Sequence, residues 1–497
     1  MVTAINKENM FKTMNDTIAA ISTPIGQGGI GIIRLSGQDV LPIADKIFVS
    51  KDGGKPSGYK TYTVHYGWIV KSHQSIPDVS VGAGMSPRHQ KKPSAIDHRL
   101  STNVIDEVLL TVMRAPRSYT KEDIVEISCH NGIVVLREIL DVVLSAGARL
   151  ALPGEFTKRA FLNGRIDLSK AEAVLDVINA KTTRGLESGI RQLKGALSQE
   201  INKLKAKLLE VLALLEANID FSEEEITPVQ REKIAQSIDV VSGLIQALLH
   251  SASHGKILRE GIRVVIVGKA NVGKSSLLNA LLREERAIVS PVAGTTRDAI
   301  EEILDLQGIP LKIADTAGII EPRDFIEKEA LKRTQSYFEK ANLVLLVFDA
   351  SRRLTQEDRA LIKKASHKSV IAVLNKCDLK IRIEEGQIQR SFSRSVKIST
   401  RKQKGLMALE ESIFQTVWQG NLEASEEIII TNARHIQALK EARKALQQAK
   451  DSLAREASIE FIAEDLKICS NHLAHITGEI IEEDILDKIF GEFCVGK

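Results

Sequence analysis

A chain of 497 residues is longer than one ordinary hydrophobic core can organise, and its length suggests about three domains. With 43% hydrophobic and 27% charged residues it reads as globular and not as disordered or fibrous, and 4% aromatic content argues against single-strand binding by base stacking. A formal charge of +4, set against 68 basic and 64 acidic groups, permits an RNA partner without requiring one.

No run reaches the ~20 apolar residues that would span a bilayer, and the opening MVTAINKENMFKTMND lacks the apolar centre of a signal peptide. A cytoplasmic protein without a membrane segment is therefore expected. From Asp16, DTIAAIST reads as a strand and leads into PIGQGGIGIIRLSG. Gly26, Gly28 and Gly31 spell G-x-G-x-x-G, but a dinucleotide site needs that loop to open a helix. Here it runs into strand-like residues, so a glycine-rich turn between strands is expected. Further strand-like runs near Tyr62, Val108 and Val125 alternate with helical patterns, which describes a mixed α/β domain over 16–165. Within it, 71–103 is polar, carries Gly, Pro, Ser and His, and shows no periodicity; a flexible insertion is expected there.

Beyond Asp167 the texture is helical. Ile201, Leu204, Leu208, Val211 and Leu215 recur at steps of three and four, as one face of an amphipathic helix requires. After Asn432 the stripes Ile436, Leu439, Ala442, Leu446, Ala449, Leu453 and then Leu466, Cys469, Leu473, Ile476 need a partner. The unmatched apolar faces before Gly261 supply one, so 166–260 and 421–497 are expected to form one helical domain, split by an inserted domain at 261–420.

That insertion opens on RVVIVG followed by GKANVGKS, a P-loop in its strand-to-helix context. Its glycines turn backbone N–H groups toward phosphate, Lys274 reaches the terminal phosphates and Ser275 offers a hydroxyl to Mg²⁺. Downstream, GTTRD (Gly294 to Asp298) supplies a threonine for the metal and γ-phosphate, and ADTAG places Asp315 for the Mg²⁺ shell and Gly318 for the γ-phosphate. In NKCD, Asn375, Lys376 and Asp378 read guanine, because one carboxylate accepts both N1–H and N2–H₂. Ser399 and Thr400 serve the far edge of the base. A Ras-like P-loop GTPase follows. Ile319 and Ile320 stand where a water-orienting glutamine is usual, and Glu321, Asp324, Glu327 and Glu329 are equal candidates by spacing. Apart from Arg297 no arginine finger is evident; a bound cation is one alternative source of charge neutralisation, and Asn271 would be a suitable oxygen ligand for it.

With these residues assembled the chain resembles the MnmE (TrmE) family of tRNA modification GTPases. The resemblance rests on DTIAAISTPIGQGGIGIIRLSG, PGEFTKRAFLNGRIDLSKAEA, the GTPase motifs with GTTRD, TNARH at Thr431 to His435, and the terminal FCVGK. It implies an N-terminal domain with a fold similar to folate-binding one-carbon enzymes, which also builds a homodimer. It further implies a heterotetramer or larger complex with the FAD-dependent partner MnmG (GidA). The implied reaction is modification of carbon 5 of the wobble uridine of certain tRNAs, using GTP, Mg²⁺, K⁺ and a reduced folate, 5-formyl- or methylene-tetrahydrofolate.

Carried over by motif, nucleotide contacts would come from Asn271, Val272, Gly273, Lys274, Ser275 and Ser276, then Ser290, Pro291, Val292, Ala293, Gly294, Thr295 and Thr296. Asp315, Thr316, Ala317, Gly318, then Asn375, Lys376, Cys377, Asp378, with Ser399, Thr400 and Arg401, would complete the set. Potassium ligands would be Asn271, Ser290, Val292 and Thr295, magnesium ligands Ser275 and Thr296, and the water-orienting carboxylate Glu327. Folate would take Arg34, Glu126, Arg165 and Lys497. From the sequence alone a solvated strand residue is the preferred reading of Glu126. The chain departs from the family pattern at Ala270 for proline, His130 to Gly132 for a double glycine, Ile320 for arginine and Arg165 for lysine. Competing readings are an Era-type ribosome-assembly switch, which predicts a compact RNA-binding module after the GTPase domain, and a membrane-remodelling GTPase, which predicts an exposed apolar segment. Neither feature is found.

The four cysteines show no C-x-x-C spacing. Cys377 fills a variable motif slot, Cys469 lies on a core stripe and Cys129 ends a strand. Cys494, four places from the terminus, has no such explanation, and GEFCVGK fits a prenylation box poorly. A catalytic thiol delivered by the preceding helix is expected.

Overall fold

DTIAAIST forms β1 (Ile18–Ile21) and IGIIRLSG forms β2 (Ile30–Ser36), paired antiparallel across the glycine-rich turn. This computed structural model describes residues 16–26, 28–71, 103–220, 228–282, 301–314, 337–418 and 428–497. The turn closes on Asn131, whose Nδ2 donates to the carbonyls of Pro24 and Gly26 and would lie 2.6 Å from a Cβ on Gly28. A side chain at Gly28 would displace this clasp, which explains the glycine without any nucleotide.

The described chain divides into two compact units, 1–175 with 477–497, and 176–476. In the first, β3 (Phe48–Ser50), β4 (Thr63–Val70), β5 (Val104–Met113), β6 (Ile124–His130) and β7 (Arg149–Leu150) complete a seven-stranded sheet ordered β3-β4-β5-β6-β2-β1-β7. Helices Val40–Ile47 and Ile133–Ser145 bury Ile43, Ile47, Leu136 and Ile139 against Ile33, Leu35, Leu110 and Ile127. Strand alternation sends Arg34 to the opposite face, where β2–β6 register sets it across from Glu126. On that face helix Glu155–Leu162 lays Phe156 against Ile18 and Ala20. The same helix holds Arg159 with no side-chain exposure, bonded to Asp16 at 2.6 Å, Glu155 at 3.0 Å and Glu122 at 3.3 Å. Three carboxylates around one buried guanidinium make this joint costly to break. Most of the expected insertion lies outside the described residues; its ends, Lys71 and Asn103, are joined by a 3.0 Å backbone bond.

Helix Glu483–Gly491 carries Leu486 and Phe490 onto Phe161 and Leu168, and Phe493 follows them into that cluster. This aromatic packing groups Thr477–Lys497 with the first compact unit. Cys129 is buried in β6, its thiol donating to Gly31 O, and burial pushes it up to about 11.

In the second unit the helical stripes meet as their spacing requires. Helices Ala196–Asp220, Pro228–Glu260, Ala433–Ala454 and Ile459–Thr477 share one core, with Ile201, Leu208, Leu215, Ile245, Leu439, Leu446, Leu466 and Cys469 all buried. Burial pushes the Cys469 thiol up to about 12, so it is inert packing. Between these helices the chain builds β8 (Ile262–Val267), β9 (Glu301–Leu306), β10 (Ile309–Ala314), β11 (Leu343–Asp349), β12 (Val370–Asn375) and β13 (Ser395–Lys397). Their order is β13-β12-β11-β8-β10-β9, parallel except for β9, as a doubly wound GTPase sheet demands. On return, Ile430 N donates to Ser251 Oγ at 3.2 Å, and the Ile430 carbonyl lies 2.0 Å from where a Cβ on Gly255 would stand.

Candidate functional site

The carboxyl ends of β8, β11 and β12 face one cleft, the place where open α/β sheets hold ligands. The loop after β8 passes through Asn271 at φ 63° and Gly273 at φ 100°, then enters helix Lys274–Leu282. Gly268 and Gly273 are required by space: a Cβ would stand 2.4 Å from Val347 O at the first and 2.3 Å from Asn375 Nδ2 at the second. Lys274, 9% exposed, donates to Gly268 O at 2.9 Å and Lys269 O at 2.8 Å, which folds its ammonium over the loop. Ser275 and Ser276 are exposed in the first helical turn, and Val272 is buried. Backbone N–H groups, a helix N-terminus and an ammonium together form a phosphate-binding arrangement.

Asn375 ties this loop to the base-recognition segment. Its Nδ2 donates to Val272 O at 2.9 Å, and its Oδ1 accepts from Lys376 N at 2.8 Å and Thr400 N at 3.2 Å. Asp378 accepts from Ser399 Oγ at 2.6 Å; that hydrogen bond first, then the nearby Arg401 and Lys402, hold its carboxyl below the usual carboxylate range despite some desolvation. Cys377 is half-buried, and its N–H donates to Ile398 O. Arg401 is exposed, Thr400 half-buried and Ser399 fully buried. The structure thus brings together Asn271 to Ser276, Asn375 to Asp378 and Ser399 to Thr400. Ser290, Pro291, Val292, Ala293, Gly294, Thr295, Thr296, Asp315, Thr316, Ala317, Gly318 and Glu327 lie outside the described residues.

A second cluster forms on the outer sheet face of the first unit. Arg34 Nε donates to Glu126 Oε1 at 2.7 Å, with the two side chains 18% and 23% exposed. Arg34 Nη1 also donates to Gly496 O at 3.2 Å, and Ser22 Oγ reaches the same carbonyl at 3.1 Å. The guanidinium carbons of Arg34 and Arg165 lie 5.8 Å and 4.8 Å from the Tyr119 ring centre. Phe156 N donates to Lys497 O at 3.2 Å, and Gly154 N to Cys494 O at 3.5 Å. Gly496, at φ 94°, admits no side chain: a Cβ would meet Ile21 O at 2.6 Å. So Arg34 and Arg165 share the Tyr119 ring, while Glu126 and the tail, with exposed Cys494 and half-buried Lys497, are held through Arg34, Ser22, Gly154 and Phe156. Sequence reasoning missed Tyr119 and Ser22; no spacing distinguishes them, since Ser22 follows β1 and Tyr119 lies in the β5–β6 connection, and each meets its partners only in the folded chain.

Among the described residues no helix is long and apolar enough to cross a membrane. Two family models match, the GTP-binding protein TrmE N-terminus over residues 17–165 and the MnmE helical domain over 168–494. The chain is 43% identical over 486 residues to the tRNA modification GTPase MnmE of Alkaliphilus oremlandii, covering 97% of this chain and 100% of the relative. The tRNA modification GTPase MnmE of Clostridioides difficile matches with the same identity and coverage. Among solved structures, Era of Aquifex aeolicus bound to GDP and AlF4⁻ shares 30% identity over 38% of this chain and 67% of that one, with a TM-score of 0.27.

Proposed function

The chain belongs to the MnmE family of tRNA modification GTPases, and on that premise we propose that GTP hydrolysis here serves one particular modification. The product is a wobble uridine altered at carbon 5, made with an FAD-dependent partner of the MnmG type and a folate one-carbon unit. The observation that carries this reading is the tail: its main chain is clasped by Arg34, Ser22, Gly154 and Phe156, so Cys494 emerges beside a cationic and carboxylate cluster.

That cluster fits a reduced folate. Arg34, Arg165 and Lys497 suit the glutamyl carboxylates, Glu126 suits the amide-like donors of a pterin, and Tyr119 offers a ring face. A folate bound there supplies the one-carbon unit. The protein's own part is to hold it by charge and ring contact while the tail keeps the Cys494 thiol fixed in register.

In the nucleotide cleft, Lys274 neutralises phosphate charge, the 268–273 backbone N–H groups orient the phosphates, and Asp378 selects guanine. Ser275, exposed in the first helical turn, fits a magnesium ligand with Thr296, and the exposed Asn271 side chain fits a potassium ligand with Ser290, Val292 and Thr295. These cations supply the charge compensation that an arginine finger gives elsewhere. Glu327 is assigned to orient the attacking water. A homodimer, a larger assembly with the MnmG-type partner, tRNA as substrate and a cytoplasmic location complete the reading.

GTP turnover is expected to be at least about tenfold faster in potassium than in sodium chloride at equal ionic strength. Equal rates in steady-state phosphate-release assays would remove the cation assignment. Nucleoside analysis of tRNA from cells lacking the protein is expected to show an unmodified carbon 5 at the wobble uridine. An unchanged nucleoside profile would reject the proposed reaction.

A further inference from the structure

Beyond the motif residues, the base end of the nucleotide cleft contains a carboxylate that no motif assigns. Asp349 ends β11 and pairs in register with Asn375, the first residue of the base-recognition motif, at the end of β12. Its Oδ2 lies 2.7 Å from Lys376 Nζ, with side-chain exposures of 9% and 31%. The same ammonium donates to Asn271 O at 2.7 Å, in the phosphate-binding loop. Lys376 sits at φ 64° and Asn271 at φ 63°, so both ends of this bridge are non-glycine residues in the left-handed region. Such conformations persist only where their surroundings hold them.

A lysine side chain left free populates many rotamers, and ordering it costs up to ~2 kcal/mol. Here the ion pair with Asp349 and the Asn271 carbonyl hold the ammonium at one end, and the backbone holds the other. The four-carbon stem is thereby strung between β12 and the phosphate-binding loop, along the wall that continues to Asn375 and Asp378. We infer that Asp349 is a positioning residue for guanine nucleotides, acting through Lys376 to hold the base-recognition wall in its binding shape before the nucleotide arrives. Burial opposes the charge of Asp349, but donors from Lys376 and then Ser351 hold its carboxyl below the usual range, so it is ionised throughout the neutral region. The competing role for Asp349 is purely local, because its Oδ1 also accepts from Ser351 N at 3.0 Å and Ser351 Oγ at 2.6 Å and so shapes the turn after β11.

The test measures fluorescent GDP binding and steady-state GTP hydrolysis for Asp349→Asn, Lys376→Met, their combination, and Ser351→Ala in the full-length protein. Asp349→Asn keeps the shape and the turn acceptor but removes the negative charge that faces the Lys376 ammonium. It is expected to weaken GDP binding about tenfold, mainly through faster release, and to raise KM for GTP far more than it changes kcat. The combined variant is expected to bind no more weakly than Lys376→Met, since both remove one interaction. Ser351→Ala is expected to bind within about twofold of the parent. Unchanged affinity in Asp349→Asn, full additivity in the double variant, or an equal loss in Ser351→Ala would each overturn the inference. If thermal melting shows that Asp349→Asn does not fold, Asp349→Glu is read instead: it retains the charge and is expected to keep most of the affinity, and a loss as large as that of Lys376→Met would overturn the inference.

Discussion

Replacing Cys494 with serine is expected to abolish tRNA modification and leave GTP hydrolysis at its parental rate. The substitution exchanges one atom, so the tail keeps its backbone contacts: Cys494 O still accepts from Gly154 N and Lys497 N, and Gly496 O still accepts from Arg34 and Ser22. Phe493 and Phe490 remain seated with Phe161, which anchors the tail independently of residue 494. What is lost is the sulfur nucleophile, exchanged for a hydroxyl that is a far weaker one. These contacts belong to the first compact unit, whereas the residues that grip phosphate and guanine belong to the second. Wobble nucleoside analysis and phosphate release, measured on the same preparation, separate the two outcomes. Loss of both activities would show that Cys494 is architectural.

The second large effect is expected at the base. Asp378→Asn replaces an acceptor-only carboxylate with an amide whose NH₂ opposes a donor edge of guanine. GDP affinity is expected to fall on the order of a hundredfold or more, because the paired donors on guanine lose a matched, charge-assisted acceptor. Xanthine, which carries a carbonyl where guanine has its exocyclic amine, is expected to bind the variant better than guanine does. Competition between the two diphosphates in an equilibrium binding assay checks this; an unchanged guanine preference would move base selection elsewhere. The pH dependence has a definite sign. Ser399 holds the Asp378 carboxyl below its ordinary value, so guanine binding persists through the normal carboxylate range and is lost only as pH falls through that lowered value.

Some parts of this molecule are local and therefore legible. The phosphate-binding loop is a contiguous strand, turn and helix, and its glycines follow from the close approach of Val347 O and Asn375 Nδ2. Asn375 to Asp378 form a contiguous recognition segment whose chemistry can be read from guanine itself. Helix stripes at steps of three and four identified the shared core, including Cys469, because helical period and burial are coupled. The turn at Gly28 could be told from a dinucleotide loop because strand-like residues follow it.

Other parts depend on register between distant segments. Arg34 and Glu126 are 92 residues apart and meet only because β2 pairs with β6 in one register; a slip by one residue would put the two side chains on opposite faces of the sheet. Arg34 and Gly496 are 462 residues apart, and the tail reaches that face because Leu486, Phe490 and Phe493 find the aromatic cluster around Phe161. The placement of 477–497 with the first unit has the same cause, since the stripe of a short helix names no partner. Asp349 carries no motif signal, and its relation to Lys376 arises from parallel pairing of β11 and β12. The sequence by itself determined the chemistry that contiguous residues carry: a guanine-nucleotide cleft, amphipathic helices and a terminal thiol without a packing role. Only the tertiary structure decided which distant groups share a surface, because burial of apolar faces is non-directional and strand register and core shape select among the many pairings it would allow.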